Sequence, residues 1–481
     1  MGFNPFKAVG NLFGDIVEGV SDFVDFVGDV VGDVFSFLTP EIDIPDFSEL
    51  QADKNAKGVL VNKFTANGAI PVVYGTRKVG GNVVFLETSG GTNQYLYMAI
   101  VLCEGEINGI TSIQINDKTV TWSGDITDNT QITVNSSDSN FFSSESLITC
   151  EPHFGSDTQP VSTLLSELDS WTSEHKLLGL CYLAIKFEWN ADKFGSLPNV
   201  NAVVQGKKVY NPNLDGTVGG SGLHRADNSS TWAYSDNPAL QLLDYLRNDR
   251  FGMGIANSYF DSNFSDWKTA SNVCDTDITP YSGASAIDLL DSHIVVDTSK
   301  KAIDNVKEFL KGCRGYLNFT AGKYRVLVET TGSATISLTE DNIIGGIAVG
   351  SKNKNSRYNR VIVSFINPDK NYQSDTAQFP PVDETGLVSA DTHAVMKTAD
   401  GGLLLEGRFD FSMFTSPYQA QEMAEIILRR SRSSLNITFT ADATALDLSI
   451  GDIVNLSHST PSFSVKPFRV QGMTLNANQT V

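Results

Sequence analysis

Cysteine, histidine and positive charge are all sparse in this 481-residue chain. Its five cysteines, Cys103, Cys150, Cys181, Cys274 and Cys313, form no C-x-x-C pair, so neither a zinc site nor a thioredoxin-like redox centre is indicated. Their odd number and wide spacing fit reduced thiols buried in cores, as expected of a protein made in a reducing cytoplasm. The six histidines are dispersed, with none closer together than His153 and His175. H-x-x-x-H and H-E-x-x-H ligand pairs are thereby excluded, and neither a metal nor any other cofactor is expected. Against 56 acidic residues stand only 35 basic ones, a net charge of −21. Such a field repels nucleic acid and anionic membrane, so DNA is expected to pass this protein without specific binding. With 41% hydrophobic and 19% charged residues, neither a disordered chain nor a polytopic membrane protein fits. The opening MGFNPFKAVGNLFGDIVEGV lacks a clean apolar core and a small-residue cleavage site, so no secretory signal is expected, and Phe6 breaks the myristoylation pattern.

Catalytic signatures are missing as well. No G-x-S-x-G elbow occurs, and the G-x-G of FGMGIAN lacks its third glycine. Gly345 to Lys352 resembles a phosphate-binding loop only until Ser351 precedes the lysine instead of following it, so both stretches read as turns. Glu104 and Glu106, placed on one strand, would share a face with side chains about 7 Å apart. Any acid-rich chain offers such pairs, and a polysaccharide-hydrolase reading would rest on them alone. No enzyme is expected.

What is present begins with length: at about 150 residues per domain the chain makes roughly three domains, each able to bury a core. Its 40 glycines and 28 phenylalanines point to many turns and aromatic anchors, which suit a β-rich protein. Residues Asn11 to Leu38 have helical periodicity: Asp15, Glu18, Asp22, Asp25, Asp29 and Asp33 fall within a sector of about 80°. Beside them Gly10, Gly14, Ser21, Gly28 and Gly32 form a smooth ridge with G-x-x-x-G spacings that would let helices approach closely. The remaining half is apolar. An amphipathic helix docked on its own domain and a helix that self-associates or packs on another protein both fit this pattern. The prolines of TPEIDIPDF then mark a linker.

Short β-type runs between turns fill the next stretch, among them AIPVVYG, YLYMAIVLCEG and CYLAIKFEW. Tyr95 to Leu102 is almost continuously apolar, as a strand buried on both faces should be, whereas Ser112 to Trp122 alternates like a half-exposed strand. Asn135 to Ser146 reads as an exposed loop. Asn213 to Pro238, rich in Gly, Asp and Asn, predicts a long ordered excursion. A helix follows, with Asn237 as N-cap and Pro238 first, and another is expected over Lys300 to Lys311 with Gly312 as its stop. A hairpin turning at Ala321-Gly322 comes next. Further on, Ser416 and Gln419 spell a capping box for a helix whose last turn holds Arg429, Arg430 and Arg432, cations that complement the helix dipole and read as structural. The basic cluster Lys352, Lys354, Arg357 and Arg360 reads as a solvated loop or an inter-subunit ion-pair patch. In LNITFTA, Leu435, Ile437 and Phe439 should point inward. The boundaries that follow are 1–50 (helix and linker), 51–212 (β-rich), 213–330 (α+β) and 331–481 (β-rich with one helix).

Laid in order, IPVVYGTRKVGG, VVFLETSG, YLYMAIVLCEGEINGITSIQIND, TWAYSDNPALQLLDYLRNDRFGMGI, KAIDNVKEFLKGCRGYLNFTAGKYRVLVE, NRVIVSFINPDKNYQSD and LSIGDIVNLS resemble the core of the central tail hub of long-tailed bacteriophages, the family of the lambda tip attachment protein J. The resemblance implies a β-rich α+β multidomain protein, with tube-like β-barrel or β-sandwich hub domains and an inserted α+β domain behind the amino-terminal amphipathic helix. It implies a virion protein at the distal end of the tail, made in the host cytoplasm. Three copies would adapt a sixfold tail tube to a threefold tip, close the DNA channel with the tape measure protein in the lumen, and open on host engagement. Expected partners are the homotrimer, the distal tail or tube proteins above, the tape measure protein, and other tip or receptor-binding proteins. No catalytic residue is carried over. Lambda-like members continue into fibronectin-like and receptor-binding regions, and the ending NANQTV, where a further strand is expected, favours a portion of a longer polypeptide. A host-binding adhesin or tail spike, and the hub of a tail-derived gene-transfer or secretion particle, are the alternative readings.

Overall fold

The computed structural model describes residues 62–474 apart from 65–67, 92–93, 191, 195–196, 282–283, 331, 352–356 and 434. The chain is β-rich, with five α-helices among the described residues, and divides into two compact units. Of the described residues, one unit takes those up to Ile255 together with Ser292–Glu308, and the other takes Ala256–Asp291 together with those from Phe309 onward.

The first unit contains β1 (Val72–Val73), β2 (Thr76–Val79), β3 (Asn82–Ser89), β4 (Tyr95–Glu104), β5 (Ile107–Ile115), β6 (Lys118–Thr119), β7 (Ile132–Thr133), β8 (Ile148–Phe154), β9 (Leu180–Glu188), β10 (Val200–Val209) and β11 (Ala233–Tyr234). The pair β12 (Asp277–Ile278) and β13 (Ile287–Asp288) belongs to the second unit, and β14 (Val295–Val296) returns to the first. One sheet runs β14-β1-β4-β9-β8-β7 with β3 also on β4; the other runs β11-β10-β5-β6 with β2 on β10. Alternate side chains of β4 and β9 serve different cores, because a strand sends successive residues to opposite faces. Leu96, Met98, Ile100 and Leu102 join Leu183, Ile185 and Phe187 in a large core completed by Ile107, Ile113, Ala202 and Val204 of the other sheet. Tyr97, Ala99 and Val101 join Tyr182, Ala184, Leu165 and Trp171 on the opposite side. The uninterrupted apolar run from Tyr95 to Leu102 is thus accounted for: both faces are covered, so no polar alternation survives. Each fully buried Val, Leu or Ile here contributes about 1.5–3 kcal/mol.

Ser112 to Trp122 departs from the expected single strand. β5 ends at Ile115, Asn116 and Asp117 turn with φ of 50° and 61°, and β6 pairs back on β5. Two consecutive left-handed residues make a tight turn that alternation alone does not reveal.

Helix α1 (Pro238–Arg247) begins as its sequence predicts. Asn237 Oδ1 accepts hydrogen bonds from the amides of Ala239 (3.0 Å) and Leu240 (3.3 Å), and Pro238 occupies the first turn. Beyond its end, a Cβ on Gly252 would collide with the carbonyl oxygen of Tyr245, so no other residue fits.

In the second unit, α2 (Ser265–Cys274) packs on the hairpin β15 (Gly315–Thr320) and β16 (Lys323–Val328), with Trp267 Nε1 3.4 Å from the carbonyl oxygen of Tyr324. The hairpin turns at Ala321 and Gly322, with φ of 53° and 74°, as expected. Helix α3 (Ala302–Cys313) includes Gly312, and the left-handed residue after it is Arg314 (φ 52°), so the stop lies two residues later than the glycine suggested. Strands β17 (Ile336–Leu338), β18 (Ile343–Ser351), β19 (Arg360–Asn367), β20 (Gln373–Phe379) and β21 (Glu406–Asp410) precede and follow the short α4 (His393–Ala399). β19 pairs antiparallel with β20 and parallel with β21. Helix α5 (Pro417–Arg432) packs on β19 and β20, burying Ala420, Met423, Ala424, Ile427 and Leu428. The expected capping box does not form, since the Ser416 side chain makes no cap hydrogen bond. β18 pairs with β22 (Leu435–Ala441), and β23 (Ile453–His458) lies between β17 and β24 (Phe463–Arg469). Ile437 and Phe439 pack on a small core of Leu338, Val454 and Leu456, but Leu435 at the strand end is exposed, contrary to expectation.

Candidate functional site

The assembly-helix candidates Gly10, Gly14, Asp15, Glu18, Asp22, Asp25, Gly28, Asp29, Gly32 and Asp33 lie outside the described residues, as do Lys352 and Lys354. Among the described residues no group of His, Cys, Asp and Glu could hold a metal ion. All five cysteines are buried, and none is in a disulfide.

The catalytic look-alikes dissolve into structure. Glu104 closes β4 and pairs with Arg250; Glu106 lies past Gly105 (φ 88°), off the strand, with its Oε1 2.8 Å from Lys208 Nζ. The two carboxylates therefore do not share a strand face. Gly345 to Ser351 is the middle and end of β18, with a register shift between Ile344 and Ala348, rather than a turn. The described arginines of the two basic clusters meet acids within the chain. Arg429 meets Glu425 (2.7 Å) and Asp391 (2.9 Å), Arg432 meets Asp400 (2.8 Å), and Arg430 meets Glu329. Arg357 lies 3.4 Å from Asp400 and Arg360 3.6 Å from Glu406. The structural reading of the arginine cluster at the end of α5 holds; Arg357 and Arg360 find acids inside their own unit.

The excursion from Asn213 to Pro238 is ordered, as expected, and its anchorage is the most elaborate polar feature of the first unit. Asp215, almost fully buried, accepts from Tyr210 Oη (2.8 Å), the Thr217 amide (2.8 Å) and hydroxyl (2.6 Å), and Arg225 (3.1 Å). Burial opposes its ionisation, but the Thr217 and Tyr210 hydrogen bonds and the Arg225 charge hold the carboxyl below its ordinary value. Trp232 donates its indole N–H to the Arg225 carbonyl (2.8 Å), and its ring is faced by Lys207 at 5.0 Å and Arg247 at 5.8 Å. Beneath, Asp244 of α1 accepts from Tyr74 Oη (2.5 Å) and Lys207 Nζ (3.1 Å). Burial, then the Asp244 charge, push the Tyr74 phenol well above its ordinary range, so Tyr74 stays a donor. A loop so pinned keeps a defined outline, from which Leu223, 79% exposed, and Leu214 project.

A second buried carboxylate, Glu151 on β8, organises the turn before Leu165. It accepts from Ser162 Oγ (2.7 Å) and the amides of Thr163 (3.2 Å) and Leu164 (2.7 Å), and lies 3.6 Å from His153 Nε2. Burial would raise its pKa, but the neighbouring His153 and the hydrogen bonds from Leu164, Ser162 and Thr163 bring it to about 2.

The second unit offers open apolar surface. An open groove of ≈ 720 Å³ is lined by Val349, Leu435, Pro461, Phe463, Val465 and Pro467. Between β20 and β21, Val382 (89% exposed), Val388, Val395, Leu403 and Leu404 face solvent. Neither surface carries a converging set of acids and bases. What these features can do chemically is contact another surface. The Asp244 anchor is not legible in the sequence because its partners are remote in it: Tyr74 and Asp244 are 170 positions apart.

The chain is similar to known proteins. A profile of the family described as "Putative phage tail protein" matches residues 301–471. Over 454 residues, 83% of this chain, the sequence is 23% identical to "Baseplate hub protein pb3" of Escherichia phage T5; the match covers 45% of that relative, so the chain spans a little under half its length. Among solved structures, a chain from "Virion of native gene transfer agent (GTA) particle" superposes with a TM-score of 0.54 at 12% identity, covering 95% of this chain and 94% of that one, which shows a shared fold.

Proposed function

We propose, from this kinship with phage tail hub proteins, that the chain is the central hub of a tail tip, acting as a scaffold and a channel. The observation that carries this reading is the likeness to a baseplate hub protein along 83% of the chain. In the proposal three copies surround the tail axis at its distal end. They join the sixfold tube above to the threefold tip, seat the end of the tape measure protein, and release it when the host is engaged. The first unit supports the reading physically: a two-sheet sandwich with a tightly pinned excursion is a rigid building block with defined contact outlines, and the described residues converge no catalytic groups.

The amino-terminal stretch with Gly10, Gly14, Gly28 and Gly32 on one ridge and Asp15 to Asp33 beside it would then bundle with its copies or pack on the tape measure protein or a neighbouring tip protein. Image reconstruction of intact particles tests the proposal. Three copies around the axis at the tip support it, and peripheral copies would overturn it in favour of an adhesin or spike. The fold shared with a gene-transfer particle keeps a second setting open for the same hub role. Sequencing of packaged DNA distinguishes the two, since a phage carries its own genome and a gene-transfer particle carries host fragments.

A further inference from the structure

Cys103 and Cys181 stand directly opposite each other in the antiparallel register of β4 and β9. Opposed residues of an antiparallel pair have Cα atoms about 4.5–5.5 Å apart, inside the range of roughly 4.4–6.8 Å that a disulfide spans. Both side chains are wholly buried in the large core of the first unit. Cys150 is opposed by Ile185 and Ile132, while Cys274 and Cys313 end helices α2 and α3.

We infer that Cys103 and Cys181 form a latent cross-strand disulfide, closed when the folded protein meets a medium containing small-molecule disulfides. The chemistry balances as two exchange steps. One cysteine thiolate attacks the small disulfide, forming a mixed disulfide and expelling one small thiol; the second cysteine thiolate then attacks the protein sulfur of that mixed disulfide and expels the other. Two protein thiols lose their protons and are oxidised, and one small disulfide is reduced to two thiols. Burial pushes the Cys181 thiol well above its ordinary range, so attack waits on local opening of β4 and β9. Closure is slow and, once made, equally protected. The bond would tie together the two central strands of the first sheet and constrain the unfolded chain between them.

The test uses the full-length protein, purified under reducing conditions, transferred to excess oxidised glutathione and sampled until the thiol count measured in urea stops changing. The expected result is a fall from five thiols to three, a peptide pair containing Cys103 and Cys181 that is separated by dithiothreitol, and a higher unfolding temperature than the reduced protein. The Cys103→Ser variant should keep all four of its thiols. A count that stays at five, a fall that leaves glutathione adducts, or a linkage involving Cys150, Cys274 or Cys313 would each overturn the inference.

Discussion

The buried carboxylates Asp215, Asp244 and Glu151 are each held by several hydrogen-bond donors, and that makes single side chains sensitive. Removing one member of a buried, hydrogen-bonded ion pair leaves the other desolvated and alone, at a cost of about 3–5 kcal/mol. Asp244→Ala, which strands Lys207 and the Tyr74 hydroxyl, is expected to lose that much in urea denaturation followed by circular dichroism. Glu151 predicts a pH dependence. Its folded pKa, about 2, lies below the ordinary 4.5, so its stabilisation is complete above about pH 4.5 and is lost as pH falls toward 2. The shift is worth on the order of 3 kcal/mol. Glu151→Gln should flatten the acid limb of the stability profile; an unchanged limb would show that other carboxylates govern it.

Elements follow the local rules to the extent that their signals are local. Asn237 sits at the cap its sequence predicts, and Asn237→Ala is expected to cost about 1 kcal/mol, within a range of roughly 0.5–2, by thermal or chemical unfolding. The strand β4 was legible through its unbroken apolar run, and Ile100→Ala, opening a cavity between the sheets, should cost about 2–5 kcal/mol. Helix α2 was not read from the sequence, although Trp267, Ala270, Ser271 and Cys274 repeat at helical spacing; its polar residues mask the period, and contact with β16 supplies what propensity does not. Ser416 shows the opposite case, a correct helix start whose capping box stays unmade. Matching residue types permit such a box without requiring it.

For the whole molecule, the resemblance to tail hub proteins is borne out by a family match over residues 301–471 and by the likeness to a baseplate hub protein. The net charge of −21 then acquires a use within the proposed role, since a wall that repels phosphate lets DNA pass without being held. Deleting residues 1–45 is expected to leave unfolding of the two units unchanged while abolishing tip assembly; normal infectious particles from that deletion would exclude the proposed assembly role of the amino-terminal stretch. Composition, periodicity and turn residues alone settled the β-rich class, the absence of metal-ligand and nucleophile motifs, most strand cores and the starts of α1 and α5, because these depend on residues a few positions apart. The pairing of Asp244 with Tyr74 and Lys207 and the facing of Cys103 and Cys181 depend on strand register and sheet stacking. Those are set by the burial of two whole faces at once, and only the folded chain brings such distant partners within bonding distance.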